Sequence, residues 1–295
     1  MSEFDVIVVG SGISGGWVAK ELCERGLKVL VIERGGDISP ATHYSDMEPV
    51  WDKQHLDRVP EDEASSLYPI QMVSAGYAIH NSNKHFWANE QDHPYETPAN
   101  RPFSWVRGYH LGGRSLTWFR QSYRWSPLDF QSNKRDGHGI DWPIDYSDIA
   151  PWYDHVERFA GISGSTETLE QLPDGVFQPA FDLTCVEKDF KRKIEQGFPG
   201  RHVIPGRTAN LTDPTEEQLM LGRSRCHVRS LCHHGCSLGA YFSSNAATLP
   251  AAEETGNLTI LTDTICHSLT VNPTTQRVQR VNVINAKTKQ TGHYT

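Results

Sequence analysis

The sequence predicts an α/β fold built on a doubly wound parallel sheet, and three observations near the N-terminus predict it. Residues 4–9 form a short apolar, β-branched run that is typical of a buried parallel strand. A glycine-rich turn at residues 10–16 leads into a helical pattern that ends at Gly26. A second apolar run, residues 27–32, ends directly before an acidic residue, Glu33. Strand, glycine turn, helix and strand in this order form the first unit of a Rossmann-like domain.

The composition is that of an acidic globular protein. The 295 residues include 28 Lys and Arg against 36 Asp and Glu, which gives a formal net charge of −8. This length fits one large domain or two ordinary ones, at roughly 100–200 residues per domain. The acidic balance argues against nucleic acid as a partner, because neutralising its phosphates requires clustered Lys and Arg.

The sequence shows no signal for membrane insertion or secretion. No stretch approaches the roughly 18 apolar residues of a membrane-spanning helix, so no integral membrane span is predicted. The N-terminal residues lack the basic segment and the small-residue cleavage site of a secretory signal. We therefore expect the chain in the cytoplasm, or exported together with a partner subunit.

The first glycine turn has the spacing of a dinucleotide-binding loop. Gly10 permits the tight turn, Gly12 lets the backbone approach a pyrophosphate, and Gly15 allows the helix to pack closely on the strand. Ser14 lies at the start of that helix, whose free N–H groups attract phosphate. Glu33 stands where a carboxylate accepts hydrogen bonds from a pair of ribose hydroxyls. Because a glutamate disfavours a 2′-phosphate, the predicted ligand is FAD or NAD rather than NADP.

A second glycine-rich element occupies residues 107–118 and has the form R-G-x-x-L-G-G-x-S. At this element the chain resembles the glucose-methanol-choline (GMC) family of FAD-dependent oxidoreductases, whose flavin-contacting motif has the same form. The resemblance implies that these residues contact FAD: Arg107, Gly108, Gly112, Gly113 and Ser115. Two adjacent glycines allow the main chain to lie against the flavin and the pyrophosphate, and the Ser115 hydroxyl can add a hydrogen bond.

Two further positions refine the cofactor prediction. Arg34, which precedes two glycines, continues the second strand in a way that is typical of flavoenzymes and favours FAD over NAD. Family members with a covalently attached flavin carry a His two residues after the motif serine, where this chain has Thr117. Because a threonine cannot form that bond, the resemblance implies an FAD that dissociates.

The resemblance continues through residues 139–164, which match a segment of the family's bacterial sugar and gluconate dehydrogenases. We expect a helix that begins near Ser147 and is capped by Asp145 or by Ser147 itself. The side chains predicted to bury one face of this helix in the core are Ile149, Trp152, Tyr153 and Val156.

The C-terminal part predicts a helix at residues 241–253 and a strand at 257–261, followed by a strand pair at 264–271 and 277–284. A returning strand is expected to begin only at about residue 292. In the family, the segment at 257–271 supplies a backbone contact to the adenine ring, and Cys266 stands at the matching position.

Three of the six cysteines have the spacing C-x5-C-x3-C: Cys226, Cys232 and Cys236. Three thiolates in one loop can hold an iron–sulfur cluster, and the spacing resembles the [3Fe–4S] loop of multi-subunit glucose dehydrogenases in the same family. Two other interpretations stay open, a zinc site that adds His227, His233 or His234, and a loop without metal. Zinc ribbons normally use C-x2-C pairs, which this segment lacks.

The motifs and the resemblance together predict the domain organisation. Residues 1–36, about 105–120 and 225–295 are assigned to the FAD-binding domain. Residues from about 37 to 104 and from 121 to 224 are expected as excursions toward a lid or toward part of an antiparallel α+β substrate region. The resemblance implies that the family's C-terminal substrate domain is missing from this chain, and no catalytic residue is assigned.

The predicted function is oxidation of a CH–OH group of a sugar, a polyol or a related alcohol, with hydride transfer to flavin N5. The electrons pass to an acceptor, and an iron–sulfur cluster and an electron-transfer subunit are candidates for that route. Since no matching catalytic His is present, we expect the chain alone to be inactive. Two other classes stay open: an NAD-dependent oxidoreductase, which would not need the second glycine motif, and a non-catalytic Cys/His metal-binding interaction protein.

Overall fold

A computed structural model describes residues 4–295 and divides the chain into two compact units. The first unit contains the residues through Trp118 together with 228–239 and 243–295. The second unit contains residues 119–227 and 240–242. Both glycine motifs therefore belong to the first unit. So does the segment from 37 to 104, which the sequence predicts as an excursion.

The described residues form short helices and strands throughout. The helices are α1 (Ile13–Glu24), α2 (Pro40–His43), α3 (Glu61–Leu67), α4 (Gln71–Ala75), α5 (Pro127–Phe130), α6 (Ser132–Asp136), α7 (Tyr146–Ala160), α8 (Cys185–Gly197), α9 (Glu216–Met220) and α10 (Leu249–Glu254). The strands are β1 (Val6–Val9), β2 (Val29–Ile32), β3 (Ser163–Gly164), β4 (Gln178–Pro179), β5 (Leu258–Leu261), β6 (Thr264–Val271), β7 (Val278–Asn285) and β8 (Thr291–Tyr294). Single 3₁₀ turns lie at Val50–Asp52, Gln54–Asp57, Lys84–Phe86 and Gly113–Leu116, and a π-helical turn at Ser244–Thr248. None of the described helices is both long and apolar enough to cross a membrane.

The first unit contains a three-stranded parallel sheet with the strand order β1-β2-β5. Every residue of the middle strand, β2, is buried. β2 pairs with β1 in the register Val6 to Val29 and with β5 in the register Val29 to Leu258. Helix α1 packs Ala19 and Cys23 into the same core. The predicted strand–helix–strand unit and the α/β fold class are therefore confirmed.

An antiparallel sheet with the order β6-β7-β8 also belongs to the first unit. The pairing of β6 with β7 is the one predicted from the sequence. Strand β8 pairs with β7 over its whole length, and it begins at Thr291, close to the predicted position. One apolar core joins the two sheets of this unit, and its most buried members are Leu30, Ile32, Val281 and Val283.

The segment from 37 to 104 folds around aromatic side chains, although its sequence shows no sustained helical or strand period. It contains three short helices, α2, α3 and α4, joined by turns. Its buried side chains form one core with Leu116: Ile38, Tyr68, Ala75, Ala78, Ile79, Phe86 and Trp87. Burial of these few large side chains, rather than a repeating pattern, therefore holds the segment in the first unit.

In the second unit, helix α7 begins where the sequence predicts it. The Asp145 carboxylate accepts a hydrogen bond from the Ser147 N–H at 2.8 Å. The Asp148 carboxylate accepts one from the Asp145 N–H at 2.9 Å, which completes a capping box. The alternative cap by Ser147 is not used.

The predicted core face of α7 is wrong in two of its members. Trp152 is 62% exposed and Val156 is 37% exposed. The helix instead buries Glu157, whose carboxylate accepts a hydrogen bond from the buried Arg124 guanidinium at 2.8 Å. A buried carboxylate requires a partner of opposite charge, and Arg124 supplies it to Glu157. The ion pair therefore lies on the inner side of the helix, where the sequence predicts Trp152 and Val156.

Candidate functional site

The first glycine turn connects β1 to α1 and leaves an open space in front of the helix. Gly10 adopts a φ of +92°, which a residue with a Cβ rarely adopts. A Cβ added to Gly15 would lie 1.8 Å from the Gly10 carbonyl oxygen, so the helix packs directly on the turn. A Cβ added to Gly12 would meet no described atom within 4 Å. Gly10 is thus favoured by its backbone conformation and Gly15 by close packing, whereas the space beside Gly12 is open.

The N-terminus of α1 has the properties of an anion site. Gly12 is the N-cap, no side chain caps this end in the described structure, and the first turn contains no acidic residue. The first N–H groups of a helix have no partner within the helix, and the helix dipole attracts negative charge there. Ser14 lies on this first turn and is exposed. The space in front of Gly12 can therefore hold a pyrophosphate.

Glu33 lies at the carboxyl end of β2 and is buried, with 6% of its surface exposed. Its carboxylate accepts hydrogen bonds from the Ser11 N–H at 3.0 Å and from the Ser11 hydroxyl at 2.6 Å, both on Oε2. The Gly35 N–H donates to the other oxygen, Oε1, at 2.9 Å. Glu33 therefore already accepts three hydrogen bonds from the chain itself, and its contact with a ribose stays a prediction.

The second glycine motif lies directly against the first. The Leu111 N–H donates to the Gly36 carbonyl at 2.8 Å, and the Gly112 N–H donates to the Ser11 hydroxyl at 2.9 Å. A Cβ added to Gly113 would lie 3.6 Å from the Gly12 Cα. The structure thus brings together two motifs that are about a hundred residues apart in the sequence.

Both predicted cofactor arginines stack on aromatic rings. The Arg34 guanidinium lies 3.7 Å from the centre of the Tyr109 ring. Arg107 is buried and lies 4.7 Å from the ring centres of Tyr95 and Trp105. Its guanidinium also donates to the His93 carbonyl. These contacts give Arg107 a structural role within the first unit.

Gly108 is a packing position as well. A Cβ there would lie 2.4 Å from the Phe86 carbonyl oxygen, so this glycine is explained by contact with the chain itself. His110, two residues further on, is also buried, and its Nδ1 lies 2.9 Å from the Leu111 carbonyl. Burial lowers the pKa of His110, so its imidazole is held neutral at physiological pH.

Ser115 and Thr117 are both buried, but their hydroxyls differ. The Ser115 hydroxyl donates to the Gly112 carbonyl at 2.6 Å and accepts from the Ser244 N–H at 3.0 Å. Its single proton is therefore used within the chain. The Thr117 hydroxyl has no hydrogen-bond partner among the described residues. Since unpaired buried hydroxyls are uncommon, Thr117 is the better candidate for a polar contact to a cofactor.

A π-helical turn, Ser244–Thr248, also contributes to this region, and the sequence predicts an ordinary helix here. The Asn245 amide donates to the Leu111 carbonyl at 3.2 Å. A Cβ on Gly16 would lie 2.5 Å from the Thr248 hydroxyl, and one on Gly112 would lie 1.5 Å from the Asn245 Oδ1. Single π turns are often found at functional sites, but no sequence period identifies them.

Cys266 lies in β6 opposite Val283, beside an irregularity in the register of that strand. It is half-buried and follows β5, the third strand of the parallel sheet. Its predicted backbone contact to an adenine ring stays a prediction.

The three cysteines of the predicted cluster are divided between the two compact units. Cys226 belongs to the second unit, where its N–H donates to the Leu211 carbonyl at 2.8 Å. Cys232 and Cys236 belong to the first unit. Over residues 4–295, no group of three or more His, Cys, Asp and Glu side chains is arranged to hold a metal ion. The [3Fe–4S] cluster therefore stays a prediction from the spacing.

The segment that carries Cys232 and Cys236 is fixed to the first unit by buried polar groups. The Ser237 hydroxyl donates to Asp46 at 2.6 Å. The Nε2 of His234, a candidate zinc ligand, lies 3.4 Å from an Asp57 carboxylate oxygen, and its Nδ1 lies 3.0 Å from the Ser82 hydroxyl. Burial and the charge of Lys53 lower the pKa of His234 to about 4. This histidine is therefore a neutral member of a hydrogen-bonded cluster.

Comparison with known proteins supports FAD as the cofactor. A family model described as "DAO: FAD dependent oxidoreductase" matches residues 5–47, which include β1, the first glycine turn, β2 and Glu33. The chain is 27% identical to paromamine 6'-oxidase from Streptomyces fradiae, over 88% of this chain and 40% of that protein. It is 23% identical to the fructose dehydrogenase large subunit from Gluconobacter japonicus, over 84% of this chain and 43% of that protein.

Two further similarities are with gluconate 2-dehydrogenase flavoprotein from Pantoea cypripedii and with a solved structure. The former is 24% identical over 86% of this chain and 43% of that protein. The latter is pyridoxine 4-oxidase from Mesorbium loti, at 16% identity and a TM-score of 0.49, covering 99% of this chain and 48% of that chain. The chain spans less than half the length of these relatives. The predicted resemblance to GMC-type FAD-dependent oxidoreductases is confirmed, and so is the prediction of FAD as the cofactor.

Proposed function

We propose that this chain carries the cofactor-binding part of an FAD-dependent oxidoreductase that oxidises a CH–OH group of a sugar, a polyol or a related alcohol. The observation that carries the proposal is the open space in front of Gly12, where a Cβ would meet no described atom within 4 Å. This space lies at an uncapped helix N-terminus and beside Gly113 of the second motif. The names of the relatives, which include fructose and gluconate dehydrogenases, support the substrate class.

Different residues of the site bind different parts of FAD. The N–H groups at the start of α1 bind the pyrophosphate, and Gly12 leaves room for it. Glu33 accepts a hydrogen bond from the ribose of the adenosine half. Gly113 presents main chain to the cofactor, and the Thr117 hydroxyl supplies a hydrogen bond to a polar edge. Bound FAD supplies the hydride acceptor for alcohol oxidation.

The remaining parts of the reaction are assigned by class only. A base must take the hydroxyl proton of the alcohol, and no residue of this chain is proposed for that role. We propose a separate electron-transfer subunit as a partner, which is supported by the wording "large subunit" in the name of one relative and "flavoprotein" in that of another.

The test is FAD binding by Gly12→Val, measured by titrating FAD into the protein and following flavin fluorescence. We expect a loss of affinity of roughly a hundredfold or more, because the new side chain fills the space that the pyrophosphate needs. The matched control is Gly197→Val, at the end of α8 in the second unit, where a Cβ also meets no described atom within 4 Å. Equal FAD affinity of the two variants would contradict the proposal. NAD binding that exceeds FAD binding would favour the nicotinamide class instead.

A further inference from the structure

Ser11 lies in the first glycine turn, is fully buried and makes three hydrogen bonds. Its N–H and its hydroxyl both donate to Glu33 Oε2, at 3.0 and 2.6 Å. Its hydroxyl oxygen accepts from the Gly112 N–H at 2.9 Å. The short hydroxyl–carboxylate distance is that of a charge-assisted hydrogen bond, the strongest kind that a serine forms. The sequence gives no role to Ser11, because it is simply the variable residue between two motif glycines.

These contacts limit what Glu33 can offer a nucleotide. A carboxylate has about four acceptor sites, two on each oxygen. The two Ser11 donors occupy both sites of Oε2, and the Gly35 N–H occupies one site of Oε1 at 2.9 Å. One acceptor site therefore remains, on Oε1. This differs from the sequence prediction, in which Glu33 accepts from a pair of ribose hydroxyls.

We propose that Ser11 is a positioning residue, which fixes the Glu33 carboxylate so that it accepts only one of the two ribose hydroxyls of the bound nucleotide. Ser11 also connects this acceptor to the second motif, because the same hydroxyl holds the Gly112 N–H. The proposal rests on the proposed function, since it requires the ADP half of FAD to bind at this turn.

Removing the hydroxyl has two separable consequences. Glu33 loses its shortest hydrogen bond, which vacates one acceptor site on Oε2, while the Ser11 and Gly35 N–H groups still bind its two oxygens. The Gly112 N–H loses its acceptor in a buried position, which is unfavourable for the second motif. A residue with a merely structural role would weaken all nucleotides equally, whereas a positioning residue also changes the selectivity for the ribose hydroxyls.

The experiment measures Kd by calorimetry for ADP, 2′-deoxy-ADP and 3′-deoxy-ADP with the wild-type protein, Ser11→Ala and Ser11→Thr. For the wild type we expect one deoxy analogue to bind roughly tenfold more weakly than ADP, and the other within about twofold. Ser11→Ala should weaken ADP binding roughly tenfold and reduce the difference between the two analogues. Ser11→Thr keeps the hydroxyl and should restore the difference. Ser65→Ala is the control, because Ser65 is exposed on α3 and its hydroxyl donates to the main-chain carbonyl of Glu61 at 2.7 Å.

The possible results separate the two proposals. If the wild-type protein binds no ADP, both the proposed function and the role of Ser11 are overturned. If ADP binds and both deoxy analogues lose affinity equally, the single acceptor site is wrong while the nucleotide site stands. If Ser11→Ala binds all three nucleotides as the wild type does, Ser11 does not position Glu33.

Discussion

The close contact between α1 and the first glycine turn predicts the effect of a single methyl group at Gly15. In Gly15→Ala the new Cβ would lie 1.8 Å from the Gly10 carbonyl oxygen and 2.9 Å from its carbon. Both are backbone atoms, so relief requires moving the helix or the turn by roughly 1 Å or more in a densely packed region. Overpacking of this kind costs about 1–3 kcal/mol. The higher helix propensity of alanine returns at most about 1 kcal/mol.

We therefore expect Gly15→Ala to lower the free energy of unfolding by about 2 kcal/mol. For a chain of 295 residues that corresponds to a fall in Tm of roughly 3 °C. The assay is thermal and urea unfolding without added cofactor, followed by circular dichroism. The matched control is Gly197→Ala, which lies in α8 and has no described atom within 4 Å of its Cβ, so propensity alone should make it neutral or stabilising. A Gly15→Ala protein as stable as this control would refute the packing argument.

Two further predictions concern the segment that carries Cys232 and Cys236. Because the pKa of His234 is lowered to about 4 in the folded protein, its contribution to stability is complete above its unfolded value near 6.5 and is lost as the pH falls toward 4. Between pH 7 and 4.5, His234→Gln should therefore lose roughly 2 kcal/mol less unfolding free energy than the wild type, and equal losses in urea titrations would contradict this. The cysteine spacing predicts iron and acid-labile sulfide in anaerobically purified protein, lost in Cys232→Ser, and finding neither element in the wild type would leave the cluster without support.

How far the sequence predicts this site depends on the range of the interactions involved. The βαβ unit follows from local patterns: apolar runs, glycine spacing and the position of Glu33 after β2. The cap of α7 also follows, because Asp145 and Asp148 are neighbours in sequence. The burial of α7 does not, since its inner side is decided by an arginine that lies 33 residues before its partner Glu157.

The role of Ser11 is long-range in the same sense. Its hydroxyl links Glu33 to Gly112, which are 22 and 101 positions away. No period or motif encodes that contact, because it arises only when the second glycine motif packs on the first. A sequence can therefore predict which residues form each motif, but the division of hydrogen bonds between the motifs requires their spatial arrangement.

Glycines in such motifs are needed for two opposite reasons, and only one of them indicates a ligand. At Gly15, Gly108 and Gly112, a Cβ would collide with the chain itself, at 1.8, 2.4 and 1.5 Å from the nearest atom. Those glycines are required for folding whether or not a cofactor binds. At Gly12 the surrounding space is open, so the chain alone gives no reason for a missing side chain. A substitution at Gly12 should therefore affect cofactor binding and leave the stability of the cofactor-free protein nearly unchanged, whereas substitutions at the other three should destabilise the fold first. This contrast makes Gly12, among the predicted glycines, the position at which the requirement for a cofactor is separated most clearly from the requirement for packing.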